Sequence, residues 1–356
     1  MKMKNKLKIY KQKLQDKKLA KQEANDRMPR ITNETVASHR EEVLKGARKY
    51  IYPLQHSKHK VVIITTTLFI TSILAFTTYC VIALYKIEST SSFVYRVTQV
   101  IPFPVARSGK SFVAYENYLF ELRHYIHYYE TQQKIGFSTE SGKQQLDDYK
   151  KRSLDKVIND ALIKQIANEK AVSVSDQDLD TQIQIARNQN RLGGSTRVFE
   201  DVIKEYYGWT LSDFRRSLSA QTLEEKVNAS LDTDAKTKLD ASMGALASGT
   251  SFADVAKQYS DDEPSKALGG DFGVIDKSNT AVSAQTIDTL FRVKQAETAD
   301  PIIISYGTGY AYEIIKSTEV NGEKVRGSHI IIVLKDINSF LNDKKDKQPT
   351  RLYISL

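Results

Sequence analysis

The chain has 356 residues, enough for about two globular units, and its 40% hydrophobic content excludes a wholly disordered protein. Its single cysteine, Cys80, excludes an intramolecular disulfide and a cysteine metal site. The net charge of +9 is local: residues 1–60 hold 17 Lys and Arg against 6 Asp and Glu, which is +11 and leaves −2 for the remainder. The larger part of the chain therefore lacks the basic footprint of a nucleic-acid-binding protein.

Residues 1–60 are predicted to form a basic cytoplasmic head that is solvated and partly helical. The alternative is a head that binds anionic lipid, because each lysine or arginine near such a surface contributes about 1 kcal/mol. Both interpretations place the head on the cytoplasmic side of a membrane.

The segment at residues 61–85 contains 25 residues without one charged side chain. About 20 apolar residues span the hydrocarbon core of a bilayer, so this segment is predicted to be a transmembrane helix. The positive excess on its N-terminal side predicts that the head stays inside and the later domains lie outside the cytoplasm. A cleaved signal peptide is disfavoured because 60 residues precede the apolar run. We expect a single-pass protein of the cytoplasmic membrane, and the lack of disulfides favours a bacterial envelope.

Residues 86–105 are predicted to be a short stalk. Residues 106–231 have apolar residues at helical spacing and are predicted to form an all-α domain. Ser175 with Asp178 and Thr210 with Asp213 have the spacing of a capping box, which marks the start of a helix.

The pattern changes in residues 232–335, where short helical runs and a glycine-rich turn precede three β-branched runs. Asn321-Gly322 separates the last two runs, and such a pair is a strong signal for a β-hairpin. This region is predicted to be a mixed domain with antiparallel strands, and residues 336–356 a C-terminal tail. The fold class of the whole chain is therefore α+β.

The segment SFADVAKQYSDDEPSKALGGDFG, at residues 251–273, resembles the signature of parvulin-type peptidyl-prolyl isomerases. That signature is F-A-x-x-A-x-x-Y/F-S, then a variable loop, then G-G-D-L/F-G. The preceding segments VSVSDQDLD and FEDVIKEYYGWTLSDFRRSL are similar to the N-terminal chaperone domain of the exported SurA and PrsA foldases. The resemblance covers roughly residues 106–335 and implies a chaperone domain followed by an isomerase domain.

Parvulins open their domain with a strand of the form V-R-A-S-H-I-L, yet no such strand precedes Asp234. A near copy, VRGSHII, occupies residues 325–331 and contains His329. It is either the start of a truncated second repeat or a strand permuted to the C-terminal end of the same sheet. We favour permutation, because the Asn321-Gly322 turn would pair this strand with the one that precedes it, as in the family.

The resemblance also implies a proline pocket with a polar floor and an apolar shelf. Catalytic roles fall on His329 and Asp262. Substrate-binding roles fall on Phe272, Val282, Thr286, Phe291 and Tyr312, with Glu313 as the alternative to Tyr312. The alternative roles are core packing for Phe272 and Phe291, and a satisfied histidine within a sheet for His329. The family usually has Met or Leu, Phe and a second histidine where this chain has Val282, Thr286 and Tyr312 or Glu313.

The expected function is that of a folding factor that isomerises prolyl bonds and holds unfolded or newly exported polypeptides beside the lipid bilayer. We expect no cofactor, no metal and no nucleic acid, and the oligomeric state stays open. One alternative is a holdase in which the isomerase fold survives as a binding module. Another is a bitopic envelope scaffold whose basic head recruits a cytoplasmic partner.

Overall fold

The computed structural model describes residues 2–26, 31–51, 54–189 and 195–355. The chain divides into two compact units, Met1–Cys80 and Val81–Leu356. In the first unit, α1 spans Lys2–Asp26, α2 spans Asn33–Ile51 and α3 begins at Leu54. Helix α3 ends at Tyr85, within the second unit. The head that the sequence predicts as partly helical is thus helical over most of its described residues.

Helix α3 has the length and composition of a membrane span. Its residues His59–Tyr85 form a run of 27 residues with a mean hydropathy of 2.0. Several of its threonine hydroxyls donate to backbone carbonyls one turn earlier, including those of Thr65, Thr77 and Thr78 at 2.8 or 2.9 Å. These bonds let a polar side chain sit in an apolar helix. The run contains the predicted span of 61–85 and ends at the same residue. In its last turn, Leu84 is buried in the core of the second unit.

The second unit begins with a helical domain. Its first elements are α4 (Ser92–Val100), β1 (Pro104–Ser108), β2 (Ser111–Ala114), α5 (Tyr115–Thr131), α6 (Glu140–Lys170), α7 (Asp176–Gln189), α8 (Thr196–Tyr207) and α9 (Leu211–Leu231). Helix α6 buries a stripe at helical spacing, which consists of Leu154, Val157, Ile158, Leu162 and Ile166. Tyrosines at the start of α5 pack into the same core.

Both predicted capping boxes are present. The Ser175 hydroxyl accepts from the backbone N–H of Asp178 at 3.1 Å, and the Asp178 carboxylate accepts from the backbone N–H of Ser175 at 2.8 Å. Thr210 and Asp213 form the same reciprocal pair at the start of α9. Each pair satisfies backbone donors that the first helical turn leaves free.

The predicted stalk and tail are both wrong, because both segments belong to the helical domain. Helix α4 lies within residues 86–105 and buries Val94 in the domain core. At the other end of the chain, α14 (Ile337–Lys347) and β7 (Thr350–Leu352) return to this domain. Strand β7 pairs antiparallel with β1, which gives a sheet of order β2-β1-β7. The domain expected to be all-α therefore also carries a small sheet.

The mixed domain lies between α9 and α14. It contains α10 (Thr233–Ala247), α11 (Phe252–Tyr259), α12 (Glu263–Ala267), β3 (Asp271–Asp276), α13 (Ala284–Arg292), β4 (Ile302–Tyr306), β5 (Gly309–Asn321) and β6 (Lys324–Val333). The strands form one antiparallel sheet of order β3-β6-β5-β4. Helices α10 and α11 pack on one face, where Ile314, Ile330 and Ile332 are buried. Helix α13 contributes Leu290 to a second cluster with Ile315 and Val325.

Strand β6 is an inner strand of this sheet, between β3 and β5. It therefore completes the one sheet and does not start a second repeat. Its C-terminal end lies at the start of α10, where the Asp232 carboxylate accepts from the backbone N–H groups of Ala235 at 3.1 Å and Lys335 at 2.7 Å. The strand that carries His329 thus ends beside the start of α10, the first helix of the mixed domain.

Candidate active site

A cleft of about 720 Å³ opens over one end of the four-stranded sheet. Its walls come from the α12 turn, the start of β3, the loop before α13 and the β4–β5 turn. Its floor consists of side chains from β5 and β6. Elements far apart in the sequence therefore meet at this cleft because the sheet brings β6 between β3 and β5.

His329 lies at the floor of the cleft and is 8% exposed. Its backbone N–H donates to the carbonyl of Gly270 at 2.8 Å, which fixes the strand against the glycine-rich turn. Its Nδ1 lies 2.7 Å from Oε1 of Glu313, and its Nε2 lies 2.9 Å from Oγ of Ser265. With both nitrogens in contact, the imidazole is held in one orientation.

Asp262 begins α12 as its N-cap and lies beside the same ring. Its Oδ2 accepts from the backbone N–H of Ser265 at 3.0 Å and lies 3.5 Å from Nε2 of His329. Its Oδ1 accepts from the Tyr306 hydroxyl at 2.8 Å. Burial raises the pKa of Asp262, but the hydrogen bonds from Ser265 and Tyr306 outweigh burial and leave the pKa below its ordinary value.

The apolar side of the cleft centres on Phe272. Its ring centroid lies 4.6 Å from that of His329. The ring packs directly over Gly327. A Cβ on residue 327 would lie 2.4 Å from Cζ of Phe272, so only glycine leaves room for the ring. Val282 and Leu268 line the same cleft, and Leu268 is exposed. Together these side chains form an apolar surface next to a polar floor.

One ion pair lies at the cleft wall. Arg326 on β6 donates from Nε and Nη2 to Oδ2 of Asp271 on β3, at 3.1 and 2.5 Å. The hydrogen bond from Arg326 is the main reason that the pKa of Asp271 lies below its ordinary value. The pair joins adjacent strands, and its two opposite charges offset each other.

The structure brings together most of the residues predicted for the pocket, namely His329, Asp262, Phe272, Val282 and Thr286. Thr286 does not contribute apolar surface, because it is 1% exposed and its hydroxyl donates to Glu313. Two predictions need correction. Phe291 packs against the cluster beneath α13, outside the residues that line the cleft. Tyr312 faces the opposite side of the sheet, where its hydroxyl donates to the carbonyl of Ala229 at 3.1 Å.

Ser265 and Tyr306 are functional candidates that the sequence did not indicate, and Glu313 was only the alternative to Tyr312. The register of the β5–β6 hairpin indicates that Glu313 belongs to the site. In this register Ile315 lies opposite His329, and Glu313 lies opposite Ile331. Residues two apart on a strand share a face, so Glu313 and His329 lie on the same side of the sheet. Among the described residues, no group of three His, Cys, Asp or Glu side chains is arranged to hold a metal ion.

Comparison with known proteins agrees with the two-domain arrangement. Residues 222–319 match the PPIC-type PPIase domain, and residues 54–228 match the SurA-like N-terminal domain. The first match ends before β6, so His329 lies beyond it.

Two curated relatives are foldases. The foldase protein PrsA of Caldanaerobacter subterraneus subsp. tengcongensis is 27% identical over 226 residues, which cover 58% of this chain and 67% of the relative. Foldase protein PrsA 1 of Bacillus cereus is 34% identical over 79 residues, which cover 22% of this chain and 26% of the relative.

A solved structure, that of foldase protein PrsA from Streptococcus pneumoniae, is 18% identical and covers 54% of this chain and 75% of its own. The TM-score of that superposition is 0.18. The sequence matches thus cover both the helical and the mixed domain. The chain combines a SurA-like N-terminal domain with a PPIC-type peptidyl-prolyl isomerase domain and is homologous to the PrsA foldases.

Proposed function

We propose that the protein is a membrane-anchored folding factor that isomerises prolyl bonds in polypeptides outside the cytoplasm. The observation that carries this proposal is the cleft in which His329 and Asp262 form a polar floor beside Phe272. Most of the residues that line this cleft lie within residues 222–319, which match the PPIC-type domain. The helical domain before it, which is of the SurA-like type, would hold the unfolded chain.

The reaction requires no covalent step. An X–Pro bond rotates over a barrier of about 18–20 kcal/mol and takes tens of seconds to minutes without a catalyst. A site accelerates the rotation if it binds the twisted amide more tightly than the planar one. Phe272 and Val282 provide the apolar surface for the proline ring, and His329 and Asp262 provide polar groups at the rotating bond.

The test is exchange NMR on X–Pro peptides with the full chain in detergent micelles. We expect acceleration by the unaltered chain and a loss of at least about tenfold in His329→Ala and Asp262→Ala, which corresponds to about 1.4 kcal/mol of transition-state stabilisation. Asp240→Ala is the matched control, because Asp240 is an exposed carboxylate on α10 outside the cleft. No acceleration by the folded, unaltered chain would contradict the isomerase proposal.

The proposed topology places α1 and α2 in the cytoplasm and the later domains outside. It is supported by the charge of residues 1–60 and by the length and hydropathy of α3. Lys45 and Lys277 are exposed positions on opposite sides of α3 in the sequence. In intact spheroplasts, a membrane-impermeant maleimide should label Lys277→Cys and leave Lys45→Cys unlabelled. The reverse pattern, or equal labelling, would overturn the topology.

A holdase without turnover is the second candidate. The observation in its favour is Thr286, which is buried and bonded to Glu313 where the family usually has an aromatic residue. The cleft therefore has less apolar surface for a proline ring. If the full chain suppresses aggregation of an unfolded client but does not accelerate exchange, the holdase is the correct function. Loss of both activities would contradict both candidates.

A further inference from the structure

The floor of the cleft contains a buried carboxylate, Glu313, which is 1% exposed. A carboxylate in that setting is destabilising unless an opposite charge or hydrogen-bond donors compensate it. Its Oε2 accepts from the Thr286 hydroxyl at 2.5 Å, and its Oε1 faces Nδ1 of His329 at 2.7 Å. Whether the negative charge of Glu313 has an opposite charge beside it therefore depends on the protonation of the His329 ring.

The hydrogen bonds of Ser265 fix a proton on Nε2 of the ring. A serine hydroxyl has one proton, and Ser265 donates it to Oδ2 of Asp262. Asp262 acts as an acceptor through both oxygens, since Tyr306 donates to Oδ1. The Ser265 oxygen, 2.9 Å from Nε2, must then accept from the ring. Nε2 therefore carries a hydrogen.

At the start of α13, the hydroxyls of Ser283 and Thr286 form a chain of hydrogen bonds that ends at Glu313. The Ser283 hydroxyl accepts from the backbone N–H of Thr286 at 3.0 Å and lies 2.7 Å from the Thr286 hydroxyl. If Ser283 donates to Thr286, then Thr286 donates to Glu313 and every group has a partner. An ionised Glu313 in this arrangement requires a hydrogen on Nδ1 of His329.

We infer that His329 is held as an imidazolium cation between Glu313 and Asp262, with Glu313 as the positioning residue that sets this charge. The functional meaning of this inference rests on the proposed isomerase function. The second histidine of the parvulin family falls on Tyr312 or Glu313 in this chain, and of these two only Glu313 lies against His329. Where the family has two histidines, this chain therefore has one histidine, His329, with a carboxylate on each side.

The other charged groups that face the ring are compatible with a cation. Asp271 on β3 and Arg326 on β6 form an ion pair with each other. At the end of β4, burial and the Asp262 carboxylate raise the pKa of Tyr306 to about 12, so its hydroxyl is neutral. The groups on α12 and β5 that lie against the ring, Asp262 and Glu313, are both carboxylates.

An imidazolium that donates from both nitrogens has no free lone pair, and it cannot give a proton to a bound substrate without breaking its hydrogen bond to Glu313 or to Ser265. It presents a fixed positive charge to the cleft beside Phe272, 4.6 Å away between centroids. The ring would therefore act electrostatically on the bound amide and not as a general acid or base. Glu313 would act on the substrate only through this ring.

The test is nitrogen NMR of the full chain in micelles, with histidine labelled in both ring nitrogens and His329 assigned by comparison with His329→Gln. At pH 7 we expect both ring nitrogens of His329 to carry hydrogens. In Glu313→Gln the amide can donate to Nδ1 and accept from Thr286, so we expect a neutral ring with a hydrogen on Nε2 only. Glu225→Gln, the same change at a buried glutamate outside the cleft, should leave the His329 signals unchanged.

A neutral His329 ring in the unaltered chain would overturn the inference. The same holds if Glu313→Gln folds, by its thermal unfolding transition, and keeps both ring hydrogens. If Glu313→Gln does not fold, the spectrum of the unaltered chain still decides the charge. A doubly protonated ring in a chain that does not accelerate prolyl exchange would uphold this inference and refute the isomerase proposal alone.

Discussion

Glu225, on α9, is a buried carboxylate outside the cleft. It is 5% exposed and accepts a hydrogen bond from the Gln221 side chain at 3.1 Å. Burial raises the pKa of Glu225, the Gln221 bond lowers it and the neighbouring Glu224 raises it, which leaves the pKa at about 7. A raised pKa in the folded state means that folding favours the protonated acid. The contribution of protonated Glu225 to the free energy of unfolding is fully present below about pH 4.5 and is lost as the pH rises through 7.

We therefore predict that Glu225→Gln raises the free energy of unfolding at pH 8 by roughly 3 kcal/mol and changes it much less at pH 5. The amide keeps the shape of the side chain and cannot ionise, so the cost of burying a charge disappears. Urea denaturation of both chains at the two pH values measures the difference. An equal effect at pH 5 and pH 8 would show that Glu225 does not titrate in this range.

At the residue scale, the sequence predicted the side chains that belong to a motif and missed those that only the fold brings in. His329, Asp262 and Phe272 were found because the strand and the glycine-rich segment match a family pattern. Ser265 and Tyr306 belong to no such pattern, and they reach Asp262 only because α12 and the β4–β5 turn flank the same cleft. The choice between Tyr312 and Glu313 required the strand register, which decides the face of each residue.

The pairing of β6 with the glycine-rich turn can be tested at the scale of the element. Gly270 has φ of +88°, and a Cβ there would lie 2.5 Å from the backbone carbonyl oxygen of His329. Gly273 has φ of +89° and has nothing within 4 Å of the same added atom. The two glycines thus share a positive φ and differ in the space around them.

We predict that Gly273→Ala costs about 1–2 kcal/mol, the strain of a positive φ in an L-residue. Gly270→Ala should cost a further 1–3 kcal/mol or so, because the added methyl must displace the backbone of β6. Thermal or urea unfolding of the two variants gives both values. Equal costs would mean that β6 does not approach Gly270 as closely as the structure has it.

The elements themselves were predictable where the signal is local. The capping boxes at α7 and α9 and the β5–β6 hairpin depend on residues a few positions apart, and all are present. The small sheet was missed because β7 has three residues and pairs with a strand more than 200 positions earlier, Ser108 lying opposite Thr350. Neither segment has an alternating pattern long enough to indicate a strand.

At the scale of the whole molecule, the chain leaves the helical domain after α9, builds the mixed domain and returns through α14 and β7. The return segment carries Ile337, Leu341 and Ile354 into the core of the helical domain. The sequence of α14 is typical of a solvated tail because it is rich in lysine and contains only three apolar residues, all within its first five positions. Two of those residues, Ile337 and Leu341, lie one turn apart and are buried.

The C-terminal segment supplies a matched pair of positions that tests this return. Ile354 is 5% exposed and belongs to the core of the helical domain, whereas Leu352, two residues earlier, is 50% exposed. We predict that Ile354→Ala lowers the free energy of unfolding by about 2–5 kcal/mol, since it removes buried methyl groups and leaves a cavity. Leu352→Ala should change it by no more than about 0.5 kcal/mol, because about half of that residue is already exposed to water. Urea denaturation of the full chain in micelles measures both, and equal small effects would restore the interpretation of residues 336–356 as a tail.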